Sequence, residues 1–543
     1  MAEAEHQASP SRGPLAAGEY AFLICTVLFW AAFVVVLGKD TSWDFRNYHW
    51  YGPYALFNNR LGIDVAVAHQ ASWYNPYLDV PFYLLATHFP SWVALAALGA
   101  AQGANVVPLY LMARHSLRVP DIRLWSGALA ILGQAGALTL TEFGTTYYDN
   151  VMSVLVFIGL AIIVMKRETL RQGPLGKAAG IALAAGLVSG SAMGLKLPQM
   201  PFCAGFAAAL LVLGGSWRHV AVRMLAGGVG GFIGAALFSL PWMWHVWQLT
   251  GNPLFPYWND YWHSPLALDA PYRDLRFVPA WRPLWQQIFF PVLFTIDWHV
   301  ADDLGFQDVR VLTAYFAVIA ATIVWALRRQ NRDPLSQNSA ALPLMAFGAV
   351  SYFVWLRMFA IYRYIVALEM IAPLLIVVAV GLLPGTRRAR YLALGACCFA
   401  ILVTARSDFL EHAPLDDPYI QVALPPIARP DRTMVVMAGD APMGFIATQL
   451  PPAIPVLRID GWMVQPRDAS LLTRQMKARV AAQLDKGGDL YLLIAAIDMA
   501  RAKKAVADYG LAIRLTECQQ FDTNLGGTYQ WCPLARVKET PRP

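Results

Sequence analysis

Two carboxylates and two cations stand where apolar runs of the sequence begin or end, and group transfer is chemistry such a set can perform. Asp44 lies in TSWDFRNYHWYGPYALFNNR, a few residues after the first apolar run, and Asp149 heads the fourth, behind a loop that carries Glu142. Lys196 sits in GLKLPQMP between two runs, and Arg363 in FAIYRYIVALEMIAPLL where a late run begins, with Arg357 shortly before it. An acid close to a bilayer is costly, which makes it a candidate functional group. Plainer roles exist: a solvated loop acid or helix cap for Asp44, and a charge favoured by a helix dipole for Asp149. For the cations the plain accounts are snorkelling or an ion pair with a loop acid such as Asp302 or Asp303. An Arg fork also matches the oxygens of a phosphate headgroup. Tyr48 and His49 beside Asp44, then Glu142, and His245 in PWMWHVWQLTGNPLFP complete the candidate substrate contacts. No histidine has zinc-binding spacing, and neither a Gly-rich phosphate loop nor a nucleophile elbow occurs.

The elements that must position these residues are mostly helices in lipid. The chain is 57% hydrophobic and 14% charged, against roughly a quarter charged in an ordinary globular protein. Apolar runs of about 17–25 residues, the length that crosses a bilayer, recur at 20–38, 91–113, 124–141, 149–165, 178–195, 199–215, 224–244, 311–327, 341–360, 365–383 and 391–404. The expected fold is mainly α: a polytopic transmembrane bundle of about eleven spans over 20–405, then an α/β domain over 406–543. Around Gly194 to Pro201 the pattern fits one broken helix as well as two. Residues 1–19 are polar with Gly13, Pro10 and Pro14, and read as a disordered tail rather than a cleavable signal.

Charge gives the bundle a direction. Arg114, Arg118 and Arg123; Lys166, Arg167, Arg171 and Lys177; Arg218 and Arg223; Arg328, Arg329 and Arg332; and Arg387, Arg388 and Arg390 occupy short loops at alternate ends of the runs. The positive-inside rule makes those loops and the N-terminus cytoplasmic, and an odd number of spans carries the C-terminal domain to the other side. The net charge of +7 is then a topology signal, not a nucleic-acid footprint. The loops 39–90, 142–150 and 245–310 face outward, and the aromatic helix FRNYHWYGPYALFNNRLG is expected in the membrane interface, with Trp50, Tyr51 and Tyr54 at headgroup depth. In the tail, TMVVMAGD and DLYLLIAA read as strands, LLTRQMKARVAAQLD and MARAKKAVADYG as helices. Cys518 and Cys532 lie in this segment and would pair in an oxidising compartment.

Nucleotide sugars and ATP are cytoplasmic, so an outward-facing transferase needs a donor already activated in the membrane. A polyprenyl-phosphate sugar meets that need. Breaking its anomeric C–O bond turns a phosphodiester into a more highly charged monoester, which a nearby Arg or Lys stabilises, while a carboxylate takes the proton of the attacking hydroxyl.

On WDFRNYHWYGPYALFNNRLG with YNPYLDVPFYLL, YYDNVMSVLVFIGLAIIV, GLKLPQMP and YRYIVALEMIAPLL, in that order, the chain resembles the GT-C superfamily of polytopic glycosyltransferases, particularly bacterial relatives of the protein mannosyltransferase, aminoarabinose transferase and family 87 groups. The resemblance covers about the first 400 residues. It implies a catalytic base at Asp44, an assisting acid at Asp149, and a donor-phosphate contact from Arg363; Lys196 and Arg357 are the further cations read as donor-phosphate contacts. It also implies a bacterial inner-membrane location with a periplasmic C-terminal domain, a polyprenyl-phosphate-linked donor, and a glycan, lipid or protein acceptor. There is no paired DE or DD at Asp44 and no metal triad, so a metal-independent reaction is expected, with no cofactor. GNPLFPYWN also resembles an outer-loop element of bacterial members, without an assigned role. Competing readings are an O-antigen-type polymerase or ligase, which would use Arg273, Arg276 and Arg282, a transporter of lipid-linked saccharide, and an assembly subunit.

Overall fold

The computed structural model describes residues 13–329, 331 and 333–537; most of the expected disordered tail, and Arg332 among the basic loop residues, lie outside these. A helix forms at each of the eleven apolar runs, and the chain is mainly helical. Among the described residues, seven helices are long and apolar enough to cross a membrane: Ala17–Leu37, Ser91–Ser116, Asp149–Gln172, Leu175–Leu195, Trp217–Thr250, Asn338–Met358 and Tyr362–Leu382. Leu197–Leu211 and Arg310–Ala326 are apolar but shorter. Tyr362–Leu382 is the axis of the bundle, and every side chain from Val366 to Leu382 is buried.

Some helix boundaries are set by charges that periodicity does not reveal. The run 124–141 is two helices, Ile122–Gln134 and Ala137–Thr141. At the break Arg310 donates to the carbonyls of Leu132 (2.7 Å), Gly133 (3.3 Å) and Ala135 (2.7 Å). The second helix starts against two acids: Asp308 accepts from the Ala137 amide (3.2 Å), and Glu369 from those of Leu138 (3.2 Å) and Thr139 (2.8 Å). Four helix-terminal groups at each end lack intrahelical partners, and here buried charges supply them. The ambiguous stretch after Gly194 resolves as two helices, parted where Lys196 takes an extended conformation.

Leu175–Leu195 and Trp217–Thr250 touch backbone to backbone. A Cβ added at Gly186, Gly190 or Gly194 would lie 2.1, 2.0 or 2.4 Å from the carbonyl oxygens of Gly227, Gly231 and Ala235. Small residues at this four-residue spacing let apolar helices approach closely, which in lipid supplies the packing energy that water would otherwise provide.

The bundle has two chemically different ends. Arg118, Arg167, Arg223 and Arg390 bind the termini of neighbouring elements at one: the Arg118 amide to the Leu335 carbonyl (2.7 Å), Arg167 to Gln337, Arg223 to Leu210 (2.7 Å), Arg390 to Gly381 (2.8 Å). Asp149 opens the same helix that Arg167 nearly closes, which puts the two ends roughly 27 Å apart at 1.5 Å per residue, close to the thickness of a bilayer core.

After Arg406 the chain builds a small sheet. Its strands lie in the order Val456–Arg458, Thr433–Met437, Asp489–Ala495, Thr528–Arg536, Leu511–Ile513, with Gln519–Asp522 also on Thr528–Arg536. The first three are parallel, with Val435 opposite both Val456 and Tyr491, and Thr528–Arg536 runs antiparallel to Asp489–Ala495. Helices Leu471–Asp485 and Met499–Ala507 accompany them, and Cys518 is joined to Cys532.

This sheet is welded to the segment between the first two long helices. Val65 extends its edge by pairing in parallel with Leu457, and Arg60 donates to the carbonyls of Pro452 and Ile454 (2.6 Å each) while ion-pairing with Asp64 (2.6 Å). The aromatic helix is therefore not where its amphipathic pattern suggested. Trp50, Tyr51 and Tyr54 are buried in protein, Trp50 beneath Tyr419 at 5.8 Å, because the C-terminal segment covers the face that the sequence alone leaves to the membrane interface.

Candidate functional site

Asp44, Asp149, Lys196 and Arg363 converge at the end of the bundle opposite the basic loops. Arg363 stands in the 3-10 turn that starts the central helix, and its backbone N–H donates to Asp302 Oδ2 (2.6 Å). Its guanidinium lies between two acids, Nη1 3.1 Å from Asp44 Oδ2 and Nε 3.9 Å from Asp149 Oδ2. The anticipated partner Asp302 thus takes the backbone amide of Arg363, while the side chain serves Asp44 and Asp149. Lys196, freed from helical geometry by the break, reaches Asp149 Oδ2 at 2.7 Å and the Tyr147 carbonyl at 2.6 Å. Tyr48 donates to Asp44 Oδ2 (2.9 Å).

The loop before Asp149 is built around Asp40, an acid that no motif in the sequence singles out. Asp40 accepts from the amide (2.7 Å) and hydroxyl (2.8 Å) of Thr146. Tyr148 then adopts a left-handed conformation, φ 65°, immediately before the helix, a geometry that non-glycine residues hold only under tertiary constraint. The result presents the Tyr147 ring to Arg363, with the guanidinium 4.2 Å from its centroid. Cation–π contact and ion pairs together fix the orientation of the fork.

Burial divides the surrounding acids. Asp149 is 2% exposed and Asp44 16%, yet both face cations. Glu142 is fully buried with neither carboxyl oxygen hydrogen-bonded; desolvation, reinforced by the charge of Asp149, pushes it well above the usual carboxylate range. Its environment favours the neutral acid. Asp302 is raised to about 6 by burial, against the opposing pull of Arg363.

The remaining candidates fall into two groups. His49 Nδ1 lies 2.6 Å from Asp79 Oδ1, and the ring packs against Tyr48 and Tyr148, so it adjoins the cluster through those tyrosines. His245 is exposed beside Trp242 and Arg357 lies over Phe353 on an apolar cavity of about 380 Å³; neither contacts the four charges. Arg276 pairs with Asp274 and Asp303, while Arg273 and Arg282 lie over Trp258 and Trp281.

GNPLFPYWN acquires a structural role. Asn252 ties the turn through the Tyr257 carbonyl (3.0 Å) and the Leu254 amide (2.9 Å), which sets the Tyr257 hydroxyl against that of Tyr74. Tyr74 packs edge-on against Tyr48 at 5.4 Å, so a chain of tyrosines links the long loop to Asp44. The only sequence signal for it was aromatic density. Among the described residues, no group of three or more His, Cys, Asp or Glu is disposed to hold a metal ion. Comparison with family models, with curated proteins and with solved structures finds nothing that matches this chain.

Proposed function

We propose that the protein is a membrane glycosyltransferase that moves a sugar from a polyprenyl-phosphate donor to an acceptor hydroxyl on the extracytoplasmic face of a bacterial inner membrane. The observation that carries this reading is the placement of Arg363 between Asp44 and Asp149 at one end of the bundle, with Lys196 on Asp149. A phosphate headgroup arriving from the bilayer would displace Asp44 from Arg363 and leave its carboxylate free. The acceptor oxygen then bonds to the anomeric carbon, the bond from that carbon to the phosphate oxygen breaks, and the hydroxyl proton passes to Asp44. The polyprenyl phosphate leaves with one more negative charge, which Arg363 and Lys196 balance in a largely buried site. Asp149 keeps both cations in place, and the reaction needs no metal in this reading.

The alternation of basic loops supports about eleven spans, with the N-terminus cytoplasmic and the C-terminal sheet periplasmic. The joined pair Cys518–Cys532 is in keeping with an oxidising compartment. The polymerase or ligase reading is weaker, since Arg273, Arg276 and Arg282 lie outside the charged cluster.

Purified protein in nanodiscs, supplied with a panel of radiolabelled polyprenyl-phosphate sugars and membrane-extract acceptors, tests the proposal. Wild type should transfer label from one donor, and Asp44→Asn should lose about 10²–10⁴ of that rate, the usual worth of a positioned base. Transfer by Asp44→Asn at the wild-type rate would refute the mechanism.

A further inference from the structure

An aromatic stack beside Asp44 spans the first loop and the C-terminal sheet. Trp43 lies parallel to Trp462, with ring centroids 4.9 Å apart and an interplanar angle of 10°. His69 lies near-parallel to both, 5.9 Å from Trp43 and 5.7 Å from Trp462. Trp462 is nonetheless 55% exposed, an unusual state for an indole that the chain has positioned so closely.

Its position is enforced by backbone. The Gly461 amide donates to the Val464 carbonyl (2.8 Å) and the Trp462 amide to His69 Nδ1 (3.3 Å). A Cβ at Gly461 would come within 2.5 Å of His69 Nδ1, so only glycine lets this turn press onto the first loop. His69 can accept because it is kept neutral: burial, aided by the nearby Arg458, holds it well below the usual histidine range.

The surroundings identify the kind of molecule that fits. Arg501 ion-pairs with Asp440 and Asp460 at 2.5 Å each, and Arg501 and Asp440 are both more than a third exposed. Charged hydrogen-bonding groups beside an open indole suit a ligand with an apolar ring face and a polar edge. A pyranose has that form, with C–H bonds on its face and hydroxyls at its rim. A lipid chain would gain nothing from the charges. Trp43 and Asp44 lie in the same helical turn of the first loop, so one element carries both the stack and the proposed base.

Resting on the glycosyltransferase reading, we infer that the acceptor is a saccharide, received on the Trp43–Trp462 stack, with Trp462 supplied by the C-terminal sheet. Saturation-transfer NMR on the full chain in nanodiscs, with chitotetraose, maltotetraose and mannotetraose as probes, tests this without any donor. At least one probe should bind wild type, Trp462→Ala should weaken it about five- to tenfold, and Trp462→Phe should recover part of the loss. Probe binding is read with no donor present, so the stack and the transfer mechanism stand or fall separately. Absence of binding by every probe, or equal binding by wild type and a folded Trp462→Ala, overturns the inference, as does competition by an aromatic peptide but by no saccharide.

Discussion

Replacing Lys196 with Met should destabilise the protein because it strands a charge, and removing that charge as well should restore much of the loss. Asp149 is 2% exposed, with the Lys196 ammonium at 2.7 Å and the Arg363 guanidinium at 3.9 Å. At an effective dielectric of 20 these contacts are worth about 6 and 4 kcal/mol of Coulomb energy, offset by a desolvation cost of several kcal/mol for each ion. Loss of one partner from such a pair costs about 3–5 kcal/mol, since the other charge stays buried. Asp149→Asn should cost less, because the Lys196 side chain is 17% exposed and can turn toward water. The double variant leaves neither charge, so its loss should fall well short of the two single losses added together. Thermal unfolding in detergent, followed with a thiol-reactive dye at the partly buried Cys203 and Cys397, reads all four proteins. Lys196→Met should melt on the order of 5–10 °C below wild type. A single variant that melts with wild type, or a double variant as unstable as the sum, would refute the claim that these charges hold each other.

Other regions make independent predictions. Gly190→Leu should abolish monodisperse, folded protein on size-exclusion chromatography, since its Cβ would meet the Gly231 carbonyl at 2.0 Å, whereas Gly228→Leu, with open space around it, should behave as wild type. Asp302, raised in the fold to about 6, binds its proton more tightly folded than unfolded; stability from this group is present below about pH 4 and declines as pH rises through 6, by at most on the order of 3 kcal/mol. Melting curves of wild type and Asp302→Asn between pH 4 and 7 should therefore differ in slope, and parallel curves would contradict the burial argument. Alkylation of the unfolded, unreduced protein should leave Cys518 and Cys532 unlabelled by mass spectrometry, and Cys532→Ser should lower stability by about 3 kcal/mol, the worth of closing a short loop.

Most of the helical architecture was legible in the amino-acid order because hydropathy and charge act locally. A long apolar run such as VALEMIAPLLIVVAVGL has to satisfy its backbone internally in lipid, so it becomes a helix whatever its neighbours are. The strands Thr433–Met437 and Asp489–Ala495 were readable for a similar reason, as short apolar runs rich in β-branched and aromatic residues. The individual charges of the site were visible too, since each sits at an end of an apolar run. What only the tertiary structure decided was their company. Arg363 and Asp44 are 319 residues apart and meet because the central helix starts beside the first loop. The break at Gln134–Ala137 depends on Arg310 and Glu369, far along the chain, because unsatisfied helix ends accept a partner from anywhere. The burial of Trp50, Tyr51 and Tyr54 is not legible in the sequence, because amphipathic pattern specifies an apolar face but not what covers it. Here that cover is the C-terminal segment, pinned by Val65 and Arg60, and it also carries Trp462 onto Trp43.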